Sequence, residues 1–335
     1  HLLLEEFTPD PQPEKSTPKN PTFPSEGPLP EIAVVGMAAH LGPLSSLGAF
    51  QDAVLSGTPA FTKRPGARFK GADGVAERHL DGRAANGAYL DTLTVRIGEF
   101  RIPPNELPEI LSQQLLMLRT AAAALADAGV ALGADMPRAG CAIGMEFDLE
   151  DTDFHTRWQL LHQRDRIAAV FRQHFPGIDD AEASRWLDQL QDALSRPLTA
   201  PRVVGSLGGI VASRAAREFR FGGPSHVVSC GAASGLRALE IGVRSLQQKE
   251  TDLFLAGAVD LTGDVRNMVI ASGIRPFGRL GNTHPFDPAA DGTLPGEGAV
   301  ALLLKRRDRA EADGDRVYAV IKGIGCASGG DIDGP

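Results

Sequence analysis

Gly222-Gly223-Pro224-Ser225-His226-Val227-Val228-Ser229-Cys230-Gly231-Ala232-Ala233-Ser234-Gly235-Leu236 reads as a turn, a buried strand, a tight bend of small residues and the start of a helix. Ala232, Leu236, Leu239, Val243 and Leu246 recur at spacings of four, three, four and three, which gives the helix from Ala233 to Leu246 one apolar face. A bend of this kind puts a side chain at a helix N-terminus, where the dipole and free N–H groups stabilise negative charge. A cysteine there has a lowered pKa and is an activated nucleophile.

Strand-like and helix-like segments alternate on both sides of this stretch. Ile32-Ala33-Val34-Val35-Gly36-Met37 reads as a buried strand, and Leu111 to Ala128 as a helix stopped by Gly129. Cys141-Ala142-Ile143-Gly144 reads as a short strand, Phe154 to Phe175 as a surface helix, and Leu207 to Phe219 as a small-residue helix suited to close packing. Strands at Leu253–Val259, Ala299–Leu304 and Val317–Ile321 follow. Strands separated by helices imply crossover connections and a largely parallel sheet covered on both faces. The expected class is α/β.

The 335 residues carry a net charge of 34 − 42 = −8, with 42% apolar and 23% charged residues, an ordinary soluble globular balance. A mildly acidic chain lacks the basic counterface that nucleic acid or an anionic membrane requires. Only short apolar runs occur, far below the roughly 20 residues that span a bilayer. Cys141, Cys230 and Cys326 are widely spaced, with no C-x-x-C pair. That fits a reducing cytosol, speaks against disulfides or zinc, and reads each as a buried small hydrophobe. Eight of the 24 prolines lie between Thr8 and Pro30, so 8–30 reads as an extended linker after a short apolar tag, His1 to Phe7. The globular part begins near Glu31. The chain starts with His and shows no basic-then-apolar leader, and it reads as a piece of something longer.

The opening stretch resembles the active-site elbow of β-ketoacyl synthases in the thiolase superfamily, G-P-S-x-x-x-D-T-A-C-S-S-S-L. Downstream, Pro285-Phe286-Asp287, Asp291-Gly292 and Gly296-Glu297-Gly298 resemble the family's P-F-D…D-G…G-E-G block. Upstream, Ile32 to Met37 is similar to its first strand, I-A-I-V-G-M. The pieces stand in the family's order over 31–335. The resemblance implies a thiolase-like layered α-β-α-β-α fold, present here as the N-terminal half plus the start of the C-terminal half. The family's two histidines and lysine belong to that second half, and the chain ends about one strand into it.

With Gly223-Pro224-Ser225 fixing the register, the family's nucleophile position falls on Ala232, where no acyl thioester can form. Either a condensing enzyme has lost its cysteine by one change, or the domain is a natural non-condensing paralogue. Ser229, Cys230, Gly231 and Ala233 also depart from the family pattern, which favours the paralogue. Cys230, two residues early and before the bend, reads as a structural, buried residue; a condensing enzyme using it is the rival. The family's non-condensing member, the chain-length factor, pairs with an active ketosynthase as a pseudo-twofold heterodimer. It helps shape the acyl tunnel in polyketide and polyunsaturated fatty acid synthases. His1-Leu2-Leu3-Leu4-Glu5-Glu6 is similar to the closing N-A-H-x-x-L-E-E of a ketosynthase. That implies a preceding ketosynthase ending near Phe7, a linker, and a chain-length-factor-like domain over 31–335. The partners so implied are an active ketosynthase and an acyl carrier protein presenting phosphopantetheine thioesters, with no cofactor bound by the domain itself.

Met145, Glu146 and Phe147 occupy the loop that in this family reaches toward the partner's tunnel. A large aromatic at Phe147 would set how long a chain fits. Asp148, Glu150, Asp151 and Asp153 read as a solvated acidic face, and His155 and His162, seven apart, do not suggest a metal pair. His226 and His284 read as structural hydrogen-bonders. Gly205-Ser206-Leu207-Gly208-Gly209 lacks both the phosphate-loop lysine and the dinucleotide fingerprint. Phe147→Ala in the intact pair is expected to shift the product toward longer chains, read by mass analysis of released acids. An unchanged distribution with unchanged dimerisation would overturn that assignment.

Overall fold

The computed structural model describes residues 28–65, 72–83, 86–90, 92–146, 155–195, 197–261, 265–279 and 287–326. The chain divides into two compact units, His1–Pro30 and Glu31–Pro335. Of the first unit only 28–30 are described.

The second unit begins with β1 (Ile32–Leu41), α1 (Leu47–Ser56), β2 (Thr62–Lys63), α2 (Asp73–Leu80), β3 (Asn86–Gly87), α3 (Ser112–Asp127) and β4 (Ala139–Met145). A helical excursion follows: α4 (His155–His162), α5 (Arg164–His174), α6 (Asp180–Leu194), α7 (Ala200–Ser206) and α8 (Val211–Phe219). The chain then runs through β5 (Ser225–Val228), α9 (Ser234–Gln247), β6 (Leu253–Asp260), α10 (Val265–Ile274), β7 (Gly298–Arg306), α11 (Arg307–Asp313) and β8 (Ala319–Ile321). Six strands form one sheet in the order β5-β4-β6-β7-β1-β8.

The sheet is mixed, not largely parallel. β4 is parallel to β5 and β6, whereas β7 runs antiparallel to β6 and β1, and β1 antiparallel to β8. The reason is the route from β6 to β7. Asp260, the last residue of β6, pairs with Gly298, the first of β7, so the intervening chain stays at one end of the sheet and makes no crossover. Two further expectations are corrected. The surface helix over 154–175 is two helices broken at Gln163, and the small-residue helix opens with a 3-10 turn at Gly208–Ile210.

Side-chain alternation sorts the strands' apolar residues onto two faces. On one, Ala33, Val35, Cys141, Ile143, Leu255 and Leu303 pack with Leu116, Met117 and Leu125 of α3 and Val211, Ala212 and Ala215 of α8. On the other, Ile32, Val34, Ala142, Phe254, Ala256 and Leu304 meet Ala238, Val243 and Leu246 of α9. Because both faces are covered, β4 is buried along its whole length. Gly129, at φ +69, ends α3 as its sequence position suggested: its N–H donates to the Ala126 carbonyl, and the Val130 N–H to that of Leu125.

The apolar face of α9 differs from the spacing pattern. Val243 and Leu246 are buried and Leu239 is partly so, but Leu236 is 67% exposed, and Ala232 lies before the helix, also exposed. Small residues interleave with Val243 and Leu246 on the face toward the sheet and let the backbones approach. A Cβ on Gly242 would stand 2.6 Å from the Phe254 ring, and one on Gly144 of β4 only 2.4 Å from the Ser234 carbonyl carbon. Gly144→Ala is therefore expected to destabilise the fold by about 1–3 kcal/mol, because backbone cannot yield as a side-chain tip does. Gly74→Ala, in α2 with nothing within 4 Å of the added methyl, should be neutral or slightly stabilising. Equilibrium denaturation of the two variants measures the contrast.

Candidate functional site

The elbow is built by the contact of β4 with α9. β5 ends at Val228, Gly231 turns the chain at φ +59, and α9 starts at Ser234. The Ser234 hydroxyl accepts from the Cys230 N–H at 2.8 Å and lies 2.7 Å from the Gly231 carbonyl and 2.9 Å from Glu146 Oε1. One side chain thus closes the bend on itself and ties it to the end of β4. Upstream, the glycine of Gly223-Pro224-Ser225 is required by proximity: a Cβ there would stand 2.7 Å from the Ala139 carbonyl oxygen. The Pro224 carbonyl accepts from the Cys141 N–H at 2.9 Å.

Strand register lines up the other contributors. Met145 pairs with Val259, so Glu146 and Asp260 stand side by side at the ends of β4 and β6, while Asp260 pairs with Gly298 and Glu297 lies one residue before β7. Glu297 is 3% exposed; its Oε2 accepts from the Leu90 N–H at 2.8 Å and its carbonyl from the Gly42 N–H at 2.7 Å. Next to it, a Cβ on Gly298 would meet the His40 carbonyl oxygen at 2.4 Å. The Gly296-Glu297-Gly298 motif therefore clamps two loops onto the start of β7. Asp287 caps a local turn by accepting from the Ala289 N–H at 2.8 Å. Asp291 accepts from the Arg279 N–H at 2.8 Å.

These elements enclose a cavity of about 340 Å³ at the sheet end. Ala232, Met145, Glu146, Gly296, Glu297 and Gly298 line it, together with Ser234, Val259, Asp260, Leu41 and Val300. The sequence-assigned residues Met145, Glu146 and Ala232 are thus brought into one place. Phe147, Pro285, Phe286, His284 and the acidic run 148–153 lie outside the described residues. Among the described residues, no group of three or more His, Cys, Asp or Glu is placed to hold a metal ion.

The cysteine reading needs correction. Cys141 is buried, and burial pushes its thiol up to about 12, which makes it inert. Cys230 and Cys326 are exposed rather than buried. Cys230 lies beyond the last residue of β5 and is not among the residues that line the cavity. The Cys326 thiol donates to Glu240 Oε2 at 2.8 Å on the flank of α9. His226, expected to hydrogen-bond, is exposed on β5.

Asp260 was not singled out from the sequence, although a charge ending the apolar run Leu253 to Val259 was the available signal. Its carboxyl keeps contact with solvent at the cavity mouth. Crowding by protein atoms is the largest influence on it, and the charges of Glu146 and Glu297 add to it, pushing its pKa up to about 6.

The β-ketoacyl synthase N-terminal domain model matches residues 30–310 of this chain. A polyunsaturated fatty acid synthase polypeptide of Thraustochytrium sp. is 30% identical over 300 residues, 88% of this chain and 14% of that protein. A mycocerosic acid synthase-like polyketide synthase of Mycolicibacterium smegmatis is 31% identical over 297 residues, 87% of this chain and 12% of that protein. The chain thus spans about 12–14% of the length of these relatives. The solved PfaC keto synthase–chain length factor superposes with a TM-score of 0.71 at 23% identity, covering 88% of this chain and 30% of that one. An oxazolomycin ketosynthase domain of Streptomyces albus gives 0.66 at 24%, covering 87% and 45%. The shared architecture is the thiolase-like layered fold.

Asp260 makes stability depend on pH. Its folded-state pKa, about 6, lies above the ordinary 3.8, so the native state binds this proton more tightly than the unfolded chain does. The resulting stability is fully present below about pH 3.8 and is lost as pH rises through 6. Asp260→Asn should stabilise the protein by about 1 kcal/mol at pH 7.5, a figure discounted for solvent screening, and the gain should shrink toward pH 4. Denaturant titrations at both pH values check this.

Proposed function

The chain belongs to the β-ketoacyl synthase family, and from that membership we propose that it is a non-condensing, chain-length-factor-like domain of a fatty acid or polyketide synthase. It pairs with an active ketosynthase, helps shape that partner's acyl tunnel, and works on chains delivered as phosphopantetheine thioesters by an acyl carrier protein. The observation that carries this reading is Ala232 at the elbow: just before α9 it gives the cavity a methyl group, and none of the described residues lining the cavity is a cysteine. No thioester can form there, whereas the cavity and its clamps are kept.

Two further features support the pairing role. β5 is the terminal strand of the six-stranded sheet, so one edge of Ser225–Val228 has no neighbouring strand among the described residues. Leu236, on the first turn of α9, presents a large apolar side chain to solvent. An unpaired strand edge and an exposed leucine both suit association with another folded chain. Phe147, the next residue in sequence after Glu146, is proposed as the contribution to the partner's tunnel. None of the helices among the described residues is long and apolar enough to cross a membrane, and the domain is proposed to act in the cytosol with its synthase.

The exposed thiol of Cys230 favours the rival of a condensing enzyme, and one experiment separates the two. The intact protein is incubated with an acyl-pantetheine thioester and its mass is measured. No covalent acyl adduct is expected. An adduct mapped to Cys230 would replace the non-condensing reading with that of an active ketosynthase.

A further inference from the structure

Three carboxylates stand around the place where a nucleophile would be. Glu146, Asp260 and Glu297 sit at or just beyond adjacent strand ends and line the same cavity as Ala232, and no lysine, arginine or histidine is among the described residues lining it. The N-terminus of α9 carries roughly half a positive charge, but Glu146, 2.9 Å from the Ser234 hydroxyl at the first turn, sets a carboxylate against it. The remaining wall is apolar, formed by Leu41, Met145, Val259 and Val300. A cavity of about 340 Å³ has room for a short alkyl or acyl segment.

We propose that this cavity is selective against anions: it accepts the uncharged part of an acyl thioester and turns away a substrate carboxylate, such as that of a malonyl-type extender unit. The proposal rests on the non-condensing reading and extends it, because restoring the nucleophile alone would not restore the chemistry. An extender carboxylate, a thiolate and a tetrahedral oxyanion are all negative, and each would be placed beside like charges in a partly water-excluded space. The site is silenced twice, once by the methyl group of Ala232 and once by the field of Glu146 and Asp260. Glu297 belongs to the fold, through its bond from the Leu90 N–H. Glu146 and Asp260 are the residues that determine selectivity.

The test uses the full chain carrying Cys230→Ser, Cys326→Ser and Ala232→Cys; Cys141 is buried, so the thiol at position 232 is the accessible one. Alkylation at position 232 by neutral iodoacetamide and by anionic iodoacetate is followed by mass spectrometry, with glutathione as reference thiol. The ratio of iodoacetate to iodoacetamide rates should be at least about tenfold below that of glutathione, and should rise toward it in high salt. Adding Glu146→Gln and Asp260→Asn should recover most of the difference. An undiminished ratio, or one unmoved by those two substitutions, overturns the proposal. So does failure of both reagents to react, since the cavity would then admit neither. A second arm leaves the protein unaltered: hexanoyl-pantetheine should raise its melting temperature and malonyl-pantetheine should not. Equal stabilisation by the two overturns the proposal even if the substituted chain does not fold. An acyl adduct on the unaltered chain would instead count against the non-condensing reading, whatever the alkylation ratio.

Discussion

The approach of Gly144 to the carbonyl carbon of Ser234, too close for any side chain, is the contact on which the rest of the site depends. It brings the head of α9 onto the end of β4, where Ser234 can reach Glu146 and close the bend through Cys230 and Gly231. With that end fixed, strand pairing carries the geometry across the sheet from Met145 to Val259 to Ala299. The clamp at Glu297 then ties the loops after β1 and β3 to the same place. A small-residue seam between one strand and one helix thereby positions a cavity whose walls come from distant parts of the chain.

The same geometry explains why the cavity is acidic. Strand ends that converge on a site bring together the residues at and just beyond them, and here those residues are Glu146, Asp260 and Glu297. Burial is the first reason that the Asp260 carboxyl holds its proton to about pH 6, and the like charges of Glu146 and Glu297 add to it. Ala232 lines the same cavity with a methyl group, so the acidic wall meets no ionisable side chain from that position.

Much of the fold was legible in the chain. Apolar runs placed the strands, Gly129 marked the end of α3, and the ordered motifs around Gly223, Asp287 and Gly296 identified the architecture. Strand direction was not legible, because nothing in the run from Leu261 to Glu297 states whether the connection crosses the sheet or returns beside it. Helical spacing likewise misjudged Leu236: periodicity reports that a face is apolar but not what covers it. Cys230 shows the same limit: an isolated cysteine read as belonging to the strand before the bend suggested burial, and the structure leaves it exposed. For the site, Ala232 was found from register alone, while Asp260 was passed over because its partners lie more than a hundred residues earlier in the chain and nearly forty later.

The amino-acid order by itself determined the class of fold, the position of the elbow and the alanine at its bend, because each depends on local spacing and residue type. Only the tertiary structure decided that the sheet is mixed, that Leu236 and Cys230 are exposed, and that three carboxylates share one cavity. Those depend on which chain segments become neighbours, and that is settled by packing across the sheet rather than by separation along the chain.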